Sequence, residues 1–162
     1  MAAPKLGWGH ININVSDLDA SIAFYEKLGF SVLIPGVPYL GVKRGARGEL
    51  PVDLARALDV PESSAARACI MQLDDGFPKI DLTEYANASP QPAGANDDLG
   101  MVRLCLATRN LAQDYAALVA AGVEFVSPPT EGVGGMAHIA ICRDPDGTLI
   151  ELIELHLDQW AG

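Results

Sequence analysis

A chain of 162 residues, 49% hydrophobic and 20% charged, is long enough for one well-cored soluble domain. Its formal net charge of −10 at pH 7 argues against nucleic-acid partners, whose phosphate backbones are bound through Lys and Arg. No apolar run approaches the roughly 20 residues of a membrane span, and the three widely spaced cysteines Cys69, Cys105 and Cys142 support neither a disulfide scaffold nor a zinc knuckle, reading instead as free thiols in a reducing compartment.

At the N-terminus, Met1 to Trp8 lacks the apolar core of a secretory signal, so a cytoplasmic location is expected. The next stretch alternates: Ile11, Ile13 and Val15 share one face of a strand, while His10, Asn12 and Asn14 share the other, a polar face that points to the lining of a cleft. A first helix is predicted from Ser16 or Asp17, with Ser16 as N-cap and Asp19 resembling the far end of a capping box, to Gly29. Phe30 to Ile34 reads as a strand, Pro35 to Pro51 as a loop or weakly paired edge, and Asp53 to Leu58 as a helical turn. Ala66 to Leu73 and Lys79 to Tyr85 are predicted strands around Asp74-Asp75-Gly76, and residues 87–97 form a linker. Beyond it come a strand over Met101 to Ala107, a helix over Asn110 to Ala121, a short strand over Glu124 to Val126 and a loop over Pro128 to Gly135. The tight-turn run Asp144-Pro145-Asp146-Gly147 then joins Met136 to Arg143 and Thr148 to Leu155 into a hairpin. On its second strand Glu151 faces away from Ile150 and Leu152.

The chain repeats itself. Leu18, Ile22, Tyr25 and Gly29 form a helical stripe with a glycine stop, and Leu111, Tyr115, Leu118 and Gly122 reproduce it 93 residues later with the same offsets of 4, 7 and 11. Gly9-His10-Ile11 lines up with Gly100-Met101-Val102, and Ile80-Asp81-Leu82 with Ile150-Glu151-Leu152. His10 to Asp81 spans 71 residues and Met101 to Glu151 spans 50, so the first half carries 21 extra residues, expected between Pro35 and Ser64.

Gly9-His10-Ile11, the Ser16 to Gly29 helix with Phe24-Tyr25 and Leu28-Gly29-Phe30, the Lys79 to Tyr85 strand, and Asp144 through Glu151 together resemble the vicinal oxygen chelate superfamily. This group includes glyoxalase I, methylmalonyl-CoA epimerase, fosfomycin-resistance transferases, extradiol dioxygenases and bleomycin-resistance proteins, and the pattern is most similar to the glyoxalase I-like and epimerase-like members. The resemblance covers nearly the whole chain. It implies an α+β fold, a single domain over 1–162 built of paired βαβββ modules at 7–86 and 98–157, with curved sheets around a cleft. It also implies metal ligands on the inward faces of the first and last strands of each module, slots that hold His10, Asp81, Met101 and Glu151 here. Asp81 stands where such members usually carry Glu, and Met101 where they usually carry His; a thioether is a weak ligand for these ions. The implied metal set is therefore His10, Asp81 and Glu151, an oxygen-rich group that favours Mn, Mg, Fe(II) or Co, with Ni or Zn possible. In the alternative, these groups are a hydrogen-bonded relic or an acid/base set.

Strand parity places Arg103 and Cys105 on the cleft face, and His138, Ala140 and Cys142 are expected there too, with Ile139 and Ile141 turned to the helix. By the repeat, Arg67 and Cys69 take the corresponding places in the first half. Arg67 and Arg103, with Asn12, are the expected substrate-binding residues, the arginines implying an anionic substrate; the alternative is that each arginine pairs with a neighbouring acid. Glu151 and His138 are the catalytic candidates, His138 because imidazole titrates near neutral pH. Glu154 and His156 are expected to be solvated.

These readings lead to a glyoxalase-like enzyme performing metal-assisted lyase or isomerase chemistry by proton abstraction, in which chelation of adjacent oxygens stabilises an enediolate-like charge. Its expected partners are a small oxygenated, anionic substrate and a second copy of the chain in a homodimer. The alternatives are a metal-free ligand-binding protein of the bleomycin-resistance type and, less well matched because Met101 removes a histidine, an Fe(II) extradiol-type dioxygenase.

Overall fold

The computed structural model describes residues 4–92 and 94–160. Ala93 in the expected linker and both ends of the expected 1–162 domain lie outside the described residues. The chain divides into two compact units, Met1–Pro90 and Gln91–Gly162.

In the first unit, β1 (His10–Asn14) leads into α1 (Leu18–Lys27) and β2 (Phe30–Ile34). The extra residues follow as β3 (Gly36–Val37), a 3-10 turn (Pro38–Leu40), β4 (Val42–Lys43), β5 (Gly48–Glu49) and α2 (Val52–Ala57), and the unit closes with β6 (Ala65–Leu73) and β7 (Lys79–Tyr85). The sheet runs β1-β7-β6-β2, with β1 parallel to β7 and the other pairs antiparallel. The stretch expected at Pro35 to Pro51 as a loop or weakly paired edge contains short strands, and β5 extends the sheet by pairing with β6.

The second unit repeats the order: β8 (Arg103–Thr108), α3 (Leu111–Ala120), β9 (Phe125–Glu131), β10 (Ala137–Arg143) and β11 (Leu149–Leu155), with the sheet running β8-β11-β10-β9. Both units are therefore βαβββ, and the fold is α+β. β9 runs through Pro128 and Pro129, where a loop was expected; as the last strand of the sheet it can carry residues without an N–H. Among the described residues no helix is long and apolar enough to cross a membrane.

The two longer helices, α1 and α3, are built the same way. Asp17, not Ser16, caps α1, its Oδ1 accepting from the N–H groups of Asp19 and Ala20 at 3.0 Å. Asn110 caps α3 by accepting from Gln113 N–H at 3.0 Å. Leu18, Ile22 and Tyr25 bury the inner stripe of α1 against the sheet, and Leu111 and Leu118 do so for α3. Gly29 and Gly122 end the two stripes with φ of 93° and 81°, a backbone region that costs glycine nothing.

Both helices also receive a carboxylate from the last strand of their unit. Glu84 Oε2 accepts from Leu18 N–H at 2.7 Å, and Glu154 Oε2 from Leu111 N–H at 2.7 Å. Each acid satisfies a donor that has no partner within its helix and meets the positive end of the helix dipole. Glu154 is thus a fold residue that is largely covered, contrary to the solvated position expected for it.

Candidate functional site

Parallel pairing of β1 with β7 sets Asn12 beside Asp81 and Asn14 beside Thr83. With the two-residue period of strands, His10, Asn12, Asn14, Asp81 and Thr83 all project from one face. This is the face opposite α1, since Ile13, Ile80 and Leu82 go to the buried helix side. Thr83 Oγ1 donates to Asn12 Oδ1 at 3.0 Å and Asn12 Nδ2 donates to Asn14 Oδ1 at 2.8 Å, so the polar row is internally bonded.

Asp81 is 1% exposed. Nearby, Val37, Leu40, Val42, Leu50 and Ala55 of the insertion pack with Ala66 and Ala68 of β6 into an apolar cluster, against which Ile70, the β6 partner of Asp81, also packs. From the 3-10 turn of that insertion, Tyr39 reaches the polar row: its hydroxyl donates to Asp81 Oδ2 at 3.0 Å and lies 3.5 Å from His10 Nε2. Burial, reinforced by the Asp81 carboxylate, pushes the Tyr39 phenol up to about 12, so it is a donor at neutral pH. His10 Nε2 lies 3.5 Å from Asp81 Oδ2. Tyr39 is not among the residues expected at the site, because its Pro- and Gly-rich segment reads as a loop or weakly paired edge. The available signal was that Tyr39 is the one aromatic residue between Phe30 and Phe77.

Arg67 does not join this row. Antiparallel register sets it opposite Glu84, one residue out of phase with Asp81 and Thr83, so it emerges on the helix face. There its guanidinium lies 2.7 Å from both Glu84 and Asp19, and Glu84 is further paired with Arg47. Arg67 is a tie between the sheet and the start of α1. Cys69 shares that buried face, where loss of solvent pushes its thiol up to about 11.

In the second unit, β8 pairs Cys105 with Glu151, and β10 pairs Ile141 with Glu151. Arg103, Cys105, Glu151, Ile139 and Ile141 therefore share one face, as expected for the first three. Arg103 Nε donates to Glu151 Oε2 at 2.5 Å and Nη1 donates to Asn96 Oδ1 at 3.2 Å. The pairing of each arginine with a neighbouring acid is thus what the structure has. His138, Ala140 and Cys142 lie on the other face: Ala140 and Cys142 are fully buried on the α3 side, and His138 stands opposite Glu154. His138 does not share a face with Glu151, so the geometry that recommended it as a catalytic base is absent.

Of the residues considered for a divalent ion, His10 and Asp81 stand together. Asp81 Oδ1 is buried without a hydrogen-bond partner, one of two such side-chain atoms among the described residues, the other being Ser21 Oγ. A carboxylate oxygen deprived of both water and a donor calls for a cation or a proton. An imidazole and a carboxylate also suit first-row divalent ions. These two residues fit as part of a ligand set. Glu151 differs, since Arg103 already supplies a cation to its carboxylate, and Met101 is 71% exposed. Among the described residues no group of three or more His, Cys, Asp or Glu side chains is disposed to hold a metal.

Comparison with known proteins bears on the whole chain. No curated protein matches it. A glyoxalase family protein from Bacillus cereus superposes with a TM-score of 0.76 at 22% identity, over 96% of this chain and 98% of that one. A glyoxalase family protein from Enterococcus faecalis gives 0.61 at 23% identity, over 90% and 94%. A V278E mutant of glyoxalase I from Zea mays gives 0.60 at 22% identity, over 89% of this chain but 43% of the maize chain. These likenesses concern the fold. The model of the Glyoxalase/Bleomycin resistance protein/Dioxygenase superfamily matches residues 7–152, and with nearly the full length matched the chain belongs to that superfamily.

Proposed function

We propose that the protein is a glyoxalase-like enzyme, a metal-assisted lyase or isomerase that moves a proton on a small, oxygenated, anionic substrate. The observation that carries this reading is the buried, half-unpartnered Asp81 carboxylate beside His10. His10 and Asp81 are the proposed ion ligands, and Asn12 the proposed substrate hydrogen-bond partner. A bound divalent ion would supply Lewis-acid stabilisation of charge developing on substrate oxygen. Glu151 is the proposed proton acceptor in the second unit, held in position by Arg103. The active unit is proposed to be a homodimer, because among the described residues β1 and β8 each end a sheet with one edge unpaired; sedimentation as a monomer at working concentration would contradict this.

Cobalt(II) provides the test. Its visible absorption should change when acetohydroxamate, which presents two adjacent oxygens, is added to the cobalt-loaded protein, and the change should vanish in His10→Ala. No spectral change in wild type would remove the chelation reading.

Tyr39 adds a sign. Its hydroxyl holds Asp81 Oδ2, the oxygen on the His10 side, while Oδ1 stays open, so Tyr39→Phe frees the second oxygen and should bind cobalt about tenfold more tightly, the equivalent of one lost competing bond of about 1.5 kcal/mol. Weaker binding in that variant would mean that Tyr39 supports the ion instead. For Arg103, replacement by Met should weaken binding of an anionic ligand by about 1.5–3 kcal/mol, the range for charge-assisted hydrogen bonds. Unchanged affinity would confine Arg103 to positioning Glu151.

The second reading is a binding protein that holds a ligand without turnover. The Arg103–Glu151 pair and the apolar cluster of the insertion favour it. Tight ligand binding with no chemical change under saturating ion would select it.

A further inference from the structure

On the helix face of the second sheet, three strands bring a row of groups together that the proposed reaction does not use. His138 on β10 stands opposite Glu131 of β9 on one side and Glu154 of β11 on the other. His156 follows two residues after Glu154, where β11 has just ended. His138 Nδ1 lies 3.1 Å from His156 Nε2, His138 Nε2 lies 3.8 Å from Glu131 Oε2, and His156 Nε2 lies 3.4 Å from Glu154 Oε1. The two imidazoles are 36% and 33% exposed, within reach of solvent.

We propose that His138 and His156 form a binding site for a borderline divalent ion such as Zn, Ni or Co, built on two imidazoles with waters completing its shell. Two nitrogens bound to one tetrahedral ion at about 2.0–2.1 Å lie about 3.3 Å apart. The facing nitrogens already stand 3.1 Å apart, so the site is close to formed before an ion arrives. In the ion-free chain one proton must lie between them, and the ion replaces it. The tautomer that binding requires leaves the His138 proton on Nε2, the atom directed at Glu131. A carboxylate on the distal nitrogen is the arrangement that orients a metal-ligating histidine and strengthens it as a donor. Glu154 adds negative charge: its Oε2 is committed to the start of α3, while Oε1 faces His156.

The ion would tie down residues 156–160. His156 N–H and Trp160 Nε1 both donate to Met136 O at 3.0 Å, so residues 156–160 already lie along the start of β10. A bond from His156 to His138 through the ion would fasten this segment to the sheet.

The test is calorimetric titration of chelator-stripped protein with zinc chloride at pH 7.5, in an Asp81→Asn background, so that loss of the ion proposed at His10 and Asp81 cannot be mistaken for failure here. One zinc per chain should bind, His138→Gln and His156→Gln should each weaken it at least 100-fold, and Glu131→Gln should weaken it about tenfold. Zinc should raise the melting midpoint of the background protein and leave that of His156→Gln unmoved. Should His138→Gln fold poorly, His156→Gln just after β11 carries the same decision. No binding at 1 mM zinc, or equal binding in the His156→Gln chain, would overturn the proposal and leave a histidine–histidine hydrogen bond.

Discussion

Glu84→Gln should destabilise the protein by about 3 kcal/mol or more in denaturant unfolding. Glu84 is buried, and it accepts from Leu18 N–H while pairing with Arg67 and Arg47. Neutralising one member of a buried ion network typically costs about 3–5 kcal/mol, a large share of a domain's stability, and the lower end applies here because Arg67 keeps Asp19 as a partner. Glu154→Gln is the internal comparison. It caps α3 in the same way but lacks an arginine partner, so its loss should cost about 1 kcal/mol, as for an ordinary cap. Equal costs for the two variants would show that the arginines contribute nothing beyond the cap.

The same network fixes a pH dependence. Burial alone would raise the Glu84 pKa, but hydrogen bonds from Arg67, Leu18 and Arg47 outweigh it and hold the pKa below the ordinary 4.5. A carboxylate whose pKa is lowered by folding stabilises the fold above its unfolded pKa, and that contribution is lost as pH falls through the folded value. Acid unfolding of wild type should thus steepen below about pH 4.5, and Glu84→Gln should lack that component.

Asp81→Asn should separate stability from function. Removing the buried charge relieves an unpartnered carboxylate oxygen, and Tyr39 can still donate to the amide oxygen, so the fold should hold or gain about 1 kcal/mol. Catalysis should fall about 10³-fold, because a neutral amide is a poor ligand for a divalent ion and the charge stabilisation it anchors is lost. Gains in stability at the expense of activity are characteristic of strained functional positions. An Asp81→Asn chain that is both less stable and fully active would mark Asp81 as structural.

How far the sequence disclosed this molecule depends on where its two faces differ. On β1 and β7 one face is apolar and the other polar, so alternation separated His10 and Asn12 from the apolar residues, while Asp81 joined them only through the family resemblance. On β6 and β10 both faces carry apolar residues. Ala140 and Cys142 are small and fit tightly under α3, while the larger Ile139 and Ile141 lie on the Glu151 side, so assigning the bulky residues to the helix inverted the parity of His138. Arg67 inherited the same inversion through the repeat. The caps were legible to within one residue, Asp17 displacing Ser16, because adjacent Ser and Asp both cap well. Tyr39 and the Glu84 and Glu154 anchors depend on contacts between residues 42, 66 and 43 positions apart, which neither periodicity nor local motif encodes.

That Asp81, with His10, seats a functional divalent ion can be checked by metal counting. Protein carrying His138→Gln and His156→Gln, purified without chelator and equilibrated in turn with Mn, Fe(II), Co, Ni and Zn, should retain one ion per chain with at least one of these metals. The retained ion should disappear when Asp81→Asn is added, with the fold intact by circular dichroism. Retention of the same ion in the Asp81→Asn chain, or no retention of any of the five, would contradict the claim.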